Sequence, residues 1–330
     1  MPTTLPAIPT LDDIRAAAAR IAPHAQVTPL LISPALNARA GGRVLLKAEV
    51  LQHTGSFKLR GALNRLLQLS STERSRGVVA YSSGNHAQAV AYSASLLGMR
   101  SVIIMPKDAP ALKIERTRAF GGEVVLYDRY TEDRVAIGSA IANEHGLTIV
   151  PPFEDAHIVA GQGTLALEAF TQAAAMGYTP DTLLVCCGGG GLTAGCALAA
   201  EGVSPTTVVH PCEPAEFDDT ARSLRLGRRV GNEPGKRSIC DAIVTEMPGE
   251  FTFSINQSRV GAGLTVTDDE VLRAIAFAVR ELKLVVEPGG AAALAALLAG
   301  KIETQGRTTM VVVTGGNIDA AMLARATGAS

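Results

Sequence analysis

Lys58 lies in HTGSFKLRG, residues 53–61, after a run of turn-forming residues and before a stretch, LRGALNRLLQLS, that reads as a helix. An amine so placed is either solvated surface or a reactive group, and the rest of the chain must decide. A second feature is LLVCCGGGGLTAG, residues 183–195: a buried strand, four glycines and a helix start. Glycines lack Cβ and let successive N–H groups converge, and a helix N-terminus adds a favourable dipole, so Gly188 to Gly191 suit a phosphate. A tight turn would need only one or two of them. YSSGNHAQAV, residues 81–90, is another polar turn at a strand end, carrying Ser82, Ser83, Gly84, Asn85 and His86. Open α/β sheets place ligands at such turns, although an N-cap alone would use one of these residues. VVVTGGNID, residues 311–319, repeats the strand–Gly–Gly pattern with Thr314 and Asn317.

The glycine run lacks the Gly-Lys-Ser/Thr end of a nucleotide loop. It also lacks the acidic residue about twenty positions on that a dinucleotide fold carries. A phosphate cradle without nucleotide features, together with a lysine on a Gly/Ser turn, is what pyridoxal phosphate chemistry requires.

The elements that must position these groups follow from periodicity. Continuous apolar runs at 44–50, 78–83, 101–106, 124–128, 183–187, 207–210 and 310–314 suit parallel strands buried on both faces. Amphipathic segments such as HAQAVAYSASLLG and TEDRVAIGSAIANEHG separate them and close on glycine. The alternation predicts an α/β fold of two open, mostly parallel twisted sheets flanked by helices. The strands between 78 and 150 are expected to form a small sheet and the later ones a larger sheet.

Bulk composition excludes several classes. With 30 Lys plus Arg against 31 Asp plus Glu and no block of like charge, neither nucleic acid nor a membrane surface is an implied partner. A hydrophobic content of 47% and a charged content of 18% describe a compact chain with a sizeable core. The five cysteines form no C-x-x-C pair and read as reduced, buried thiols. MPTTLPAIPTLDDIR has neither a basic nor an apolar leader region, and AAALAALLAG is too short to span a bilayer, so a cytoplasmic location is expected.

SFKLRGA, SSGNHAQA, AGQGTLALE, CGGGGLTAG, EPGGAAALAA and TGGN, in that order, resemble the fold-type II pyridoxal phosphate enzymes, in particular the serine/threonine dehydratase and serine racemase group. The likeness runs from about residue 10 to 320. It implies a tryptophan synthase beta-like fold with a large cofactor domain from 1–70 and 152–330, a small domain from 71–151, and a homodimer. It further implies Lys58 as the Schiff-base lysine beside Phe57, and Ser83 on the opposite face of the ring. Asn85 would meet the phenolic oxygen, the amides of Gly188, Gly189, Gly190, Gly191 and Leu192 the phosphate, and Thr314 the pyridine nitrogen. A hydroxyl there keeps the ring a weaker electron sink than a carboxylate would, which favours prompt β-elimination. The Ser82–His86 turn would take the substrate carboxylate.

The activity so implied is an ammonia-lyase that converts a β-hydroxy amino acid, L-threonine or L-serine, to a 2-oxo acid and ammonia. 3-Hydroxyaspartate or phenylserine dehydration and serine racemisation are the alternatives. HPCEPAEFDDTA, residues 210–221, resembles the group's cation loop, with Glu213, the Phe217 carbonyl and Asp219 as ligands for Mg²⁺, or else Ca²⁺ or Mn²⁺. A solvated acidic loop is the plain alternative. Where racemase-like chains offer Ser-Arg-Glu, this one reads Thr131-Glu132-Asp133, with Arg129 and Arg134 nearby. Arg60 and Lys113 read as solvated helix residues, and His53 and His86 as hydrogen-bonding ones. The chain ends soon after TGGN, so no response to isoleucine is expected; a kinetic shift at physiological isoleucine would contradict this.

Overall fold

The computed structural model describes residues 5–328. Residues 1–4, at the start of the N-terminal stretch, and residues 329–330 lie outside them. Among the described residues, ten strands form two sheets: β1 (Leu30–Ile32), β2 (Arg43–Ala48), β3 (Val78–Tyr81), β4 (Ser101–Pro106), β5 (Glu123–Tyr127), β6 (Thr148–Ile149), β7 (Thr182–Cys186), β8 (Val208–Pro214), β9 (Leu264–Val266) and β10 (Thr308–Val313). The larger sheet runs β1-β2-β10-β7-β8-β9 and the smaller β5-β4-β3-β6. Every pairing is parallel except β1 with β2. The apolar runs read from sequence are these strands. β4 and β7 are buried at every position, as strands covered by helices on both faces must be. The short β1, β6 and β9 had no such signal, because two or three residues hold too little pattern.

Helix Ala156–Ala175 is the spine that positions the chemistry. It packs against helix Lys58–Leu66, which begins with the lysine itself, and against helix Gly191–Val203, which continues from the four glycines. The contact is backbone against backbone. A Cβ on Gly195 would lie 2.5 Å from the Gly163 nitrogen and 2.5 Å from the Val159 oxygen. The helix Pro288–Leu298, read as AAALAALLAG, is buried along nearly its whole length, as an all-round apolar helix should be. Among the described residues no helix is long and apolar enough to cross a membrane.

Arg60 and Lys113 are not solvated. Arg60, 2% exposed, forks onto both oxygens of Glu49 at 2.8 and 2.9 Å and onto both oxygens of Glu168 at 3.0 and 3.1 Å. Buried Lys47 meets Glu168 at 2.5 Å, the Thr28 carbonyl at 2.6 Å and Gln172 at 2.8 Å. Two cations and two carboxylates thus neutralise one another inside the fold, as buried charges require. Local helix pattern hid this, because Glu49 lies 11 residues before Arg60, outside its helix, and Glu168 lies 108 residues after it.

Candidate functional site

The lysine turn and the TGGN turn are fastened together. Ser56 bridges Gly315, the Phe57 N–H donates to the Thr314 carbonyl at 3.0 Å, and Gly316 N–H donates to the Gly55 carbonyl at 2.9 Å. Asn317 Nδ2 donates to the Thr54 carbonyl at 2.9 Å and to Asn85 Oδ1 at 2.8 Å, drawing in the third turn. One cavity results, and Lys58, Ser82 to His86, Gly188 to Leu192 and Thr314 all line it, with Phe57 at its edge. Every cofactor and substrate residue expected from sequence is therefore gathered in one place. Glu213, Phe217 and Asp219 lie outside that lining.

Lys58 Nζ donates to the Pro152 carbonyl at 2.8 Å and sits 5.3 Å from the Phe57 ring centroid. Burial of the amine brings its pKa down to about 8, so an appreciable fraction is neutral near that pH, as a nucleophile or base requires. His86 Nε2 donates to the Val150 carbonyl at 2.9 Å, and its Nδ1 has no partner among the described residues. Burial, with the nearby Lys58 charge, pushes His86 down to about 3 and keeps it neutral, a hydrogen-bonding residue as expected. Thr314 Oγ1 lies 3.0 Å from Cys186 Sγ, whose thiol burial raises to about 11, so neither of these two side chains carries a charge.

The glycine loop fits a phosphate on its own geometry. Among the described residues, none of the backbone N–H groups from Gly188 to Thr193 has a hydrogen-bond partner. Gly190 has φ +90°, which side chains rarely adopt. A Cβ on Gly189 would overlap the Phe153 ring at 2.3 Å. Any helix start leaves the donors from Gly190 to Thr193 free, but a plain turn explains neither the two further free donors of Gly188 and Gly189 nor this close approach.

Several site residues escaped sequence reading. Lys113 Nζ pairs with Asp241 at 2.6 Å inside the cavity, and a Cβ on Gly84 would lie 3.3 Å from that amine. Buried Glu287, from the EPGG stretch, accepts from Asn85 Nδ2 while its Oε2 has no partner. Burial raises its carboxyl to about 7, against the pull of Lys113. The EPGG stretch was visible in the sequence, but the role of its glutamate depended on Asn85, 202 residues away. Tyr81 and Arg134 also line the cavity, with the guanidinium 5.8 Å from the Tyr81 ring centroid. Arg129 instead pairs with Asp108 at 2.7 Å on the surface. Segment 150–154 has no apolar period and carries no motif, yet it supplies the acceptors for His86 and Lys58 and the ring against Gly189.

In the acidic loop, Glu213 is fully buried and accepts from Thr220 N at 2.9 Å and Ala221 N at 2.8 Å, capping helix Asp219–Leu226. Asp219 Oδ1 accepts from Asn232 Nδ2 at 2.6 Å, and its buried Oδ2 has no partner. Burial, reinforced by Asp219, raises Glu213 to about 8, and burial raises Asp219 to about 6. Two reluctant carboxylates with an orphaned oxygen fit a hard cation better than they fit a solvated loop. Among the described residues no three His, Cys, Asp or Glu side chains gather as a metal cluster, at this loop or elsewhere, so a cation here would rest on two carboxylates, a carbonyl and water.

Comparison with known proteins agrees with this geometry. Residues 21–315 match the family described as "Pyridoxal-phosphate dependent enzyme". The chain is 42% identical over 312 residues to a serine racemase of Schizosaccharomyces pombe, covering 94% of this chain and 95% of that one. It is also 42% identical over 313 residues to an L-threo-3-hydroxyaspartate ammonia-lyase of Saccharomyces cerevisiae, covering 94% of each. The crystal structure of a T.th. threonine deaminase superposes with a TM-score of 0.89 at 44% identity, covering 94% of this chain and 99% of that one. A match spanning nearly the whole chain, with a lysine and a four-glycine loop facing one cavity, places this protein among the fold-type II pyridoxal-phosphate dependent enzymes.

Proposed function

We propose that this enzyme is an ammonia-lyase that dehydrates a β-hydroxy amino acid, L-threonine or L-serine, to a 2-oxo acid and ammonia. The observation that carries the reading is the Lys58 amine, lowered to about 8, sharing a cavity with six unpaired N–H groups of the glycine loop. Pyridoxal phosphate, when bound, supplies an electron sink that acidifies the substrate Cα–H. The glycine-loop amides from Gly188 to Leu192 hold its phosphate, and Asn85, whose Nδ2 keeps one hydrogen beyond that given to Glu287, meets its ring oxygen. The Ser82–His86 turn, at the N-terminus of helix Asn85–Leu96, takes the substrate carboxylate on the N–H groups of Ser83, Asn85 and His86, those of Ser82 and Gly84 being bonded to the Ile104 carbonyl and Ser82 Oγ. Lys58 Nζ, oriented by the Pro152 carbonyl, removes the α-proton as the β-hydroxyl leaves as water. Hydrolysis of the released enamine yields the 2-oxo acid and ammonia. Assay of 2-oxo acid from L-serine, L-threonine, 3-hydroxyaspartate and phenylserine tests the reading, which fails if none is consumed. Ser83 faces the same cavity as Lys58, so D-serine formed from L-serine would report racemisation beside elimination.

One observation favours 3-hydroxyaspartate as a second reading. Arg134 lines the cavity and makes no hydrogen bond or ion pair among the described residues, which suits a second substrate carboxylate. Arg134→Met is expected to lower kcat/KM for 3-hydroxyaspartate by about tenfold or more, the worth of a charged hydrogen bond, and that for L-threonine by less than about threefold. Equal losses on both substrates would remove Arg134 from recognition.

The divalent cation, Mg²⁺ first, is assigned to Glu213, the Phe217 carbonyl and Asp219, where it stabilises the fold and takes no part in the reaction. Both carboxyls hold protons more tightly folded than unfolded. Without a cation, the contribution of these two groups to stability is therefore fully present at acid pH and is lost as pH rises through about 6 and about 8. Ligation needs the deprotonated forms, so Mg²⁺ should raise Tm by several degrees near pH 8 and by less near pH 6. Thermal melts with Mg²⁺ and with chelator check this; a Tm indifferent to both leaves the loop without a metal. A cytoplasmic homodimer completes the reading. It is supported by five buried free thiols and by exposed Val27, Ile32 and Leu51 around edge strand β1.

A further inference from the structure

The phosphate loop contains four consecutive glycines, the residues least able to hold a peptide plane in one direction. What fixes its donors lies behind it. Helix Glu250–Asn256 passes on the side away from the cavity, and two of its side chains reach the loop carbonyls. Thr252 Oγ1 donates to the Gly189 oxygen at 2.6 Å, beside a longer 3.4 Å bond from Gly249 N, and Asn256 Nδ2 donates to the Gly190 oxygen at 3.2 Å, which also takes the first helical bond from Ala194 N at 2.9 Å. Both residues are buried, and neither lines the cavity. Glu154 holds the start of this helix by accepting from Phe251 N at 3.0 Å and Thr252 N at 3.2 Å.

In a planar trans peptide the carbonyl points opposite to the following N–H. Tying the Gly189 carbonyl to Thr252 therefore turns the Gly190 N–H away from the helix, and tying the Gly190 carbonyl to Asn256 does the same for the Gly191 N–H. We propose that Thr252 and Asn256 are positioning residues that aim the glycine-loop amides at the cofactor phosphate. The inference rests on the reading of that loop as the phosphate site. The two side chains also fill the space a Cβ on Gly190 would need, at 3.0 and 2.9 Å, so loop and helix are fitted to each other.

The test compares pyridoxal phosphate with pyridoxal, which lacks the phosphate, as ligands of the full-length protein, with dissociation constants from equilibrium dialysis. Thr252→Val is expected to weaken pyridoxal phosphate binding by about tenfold, the loss of roughly one well-directed hydrogen bond, and to leave pyridoxal within about twofold of wild type. Thr252→Ser, which keeps the donor, should restore the wild-type ratio. Asn256→Asp, which puts an acceptor against the Gly190 carbonyl, should reproduce the loss and reads the same ratio if Thr252→Val does not fold. The ³¹P resonance of the bound phosphate in the holoenzyme should shift in both variants and return in Thr252→Ser. Equal weakening of both ligands, or a ratio unchanged in folded variants, would overturn the proposal. A wild-type protein that binds both ligands equally would instead remove the phosphate reading of the loop, and the proposal with it.

Discussion

Lys58→Ala is expected to abolish 2-oxo acid release, lowering kcat by about 10³-fold or more, since a positioned acid–base group alone contributes about 10²–10⁴-fold and this amine is also the proposed anchor of the cofactor. The environment of the amine supports so large an effect. It is surrounded by the Phe57 ring, the Pro152 carbonyl and the glycine loop, and burial has already lowered its pKa to about 8. Lys58→Arg should fail equally, because a guanidinium stays protonated and cannot take the α-proton. Stability should change little, because the alanine variant loses one hydrogen bond to Pro152 and also the cost of a desolvated amine. Steady-state assay beside a thermal melt separates the two effects. Measurable turnover by a folded Lys58→Ala protein would overturn the central assignment.

Arg60→Ala is expected to destabilise the fold by about 3–5 kcal/mol, the usual cost of removing one partner from a buried ion pair. The guanidinium closes two bidentate contacts, and its loss would leave Glu49 fully buried with only the Thr28 hydroxyl as a polar partner. Arg60→Lys should recover only part of this, since an ammonium cannot fork onto two carboxylates at once. Arg60 lies two residues from Lys58 on the same helix, so the damage should reach the site and kcat should fall even in the folded fraction. Urea denaturation measures the first effect and activity per folded molecule the second. A change below about 1 kcal/mol would mean that the network is solvated after all.

Much of the site could be read directly from the chain because its chemistry is concentrated in local turns. A run such as GGGG at a strand end, or SSGNH before a helix, carries its donors on consecutive residues, and consecutive residues stay together whatever the fold does. The long strands were legible for the same reason, since a continuous apolar run records burial on both faces. Arg60 and Lys113 were misread because their surroundings are assembled from distant segments. Each sits in an amphipathic stretch whose local pattern suits water, while Glu49, Glu168 and Asp241 reach them only in the folded chain.

By itself, the sequence determined the lysine turn, the glycine loop proposed to hold a phosphate and the alternating α/β order, all of which depend on residue type and short spacing. Tertiary structure alone decided which charged groups face the cavity and which hold the fold together. Arg134 and Arg129 stand five residues apart, yet one lines the site while the other pairs with Asp108 on the surface. The same holds for Thr252 and Asn256, ordinary polar positions on a short helix until the fold sets them against two loop carbonyls. A hydrogen bond needs its donor within about 3 Å of its acceptor, and for residues this far apart in the chain only the packed helices and sheets bring that about.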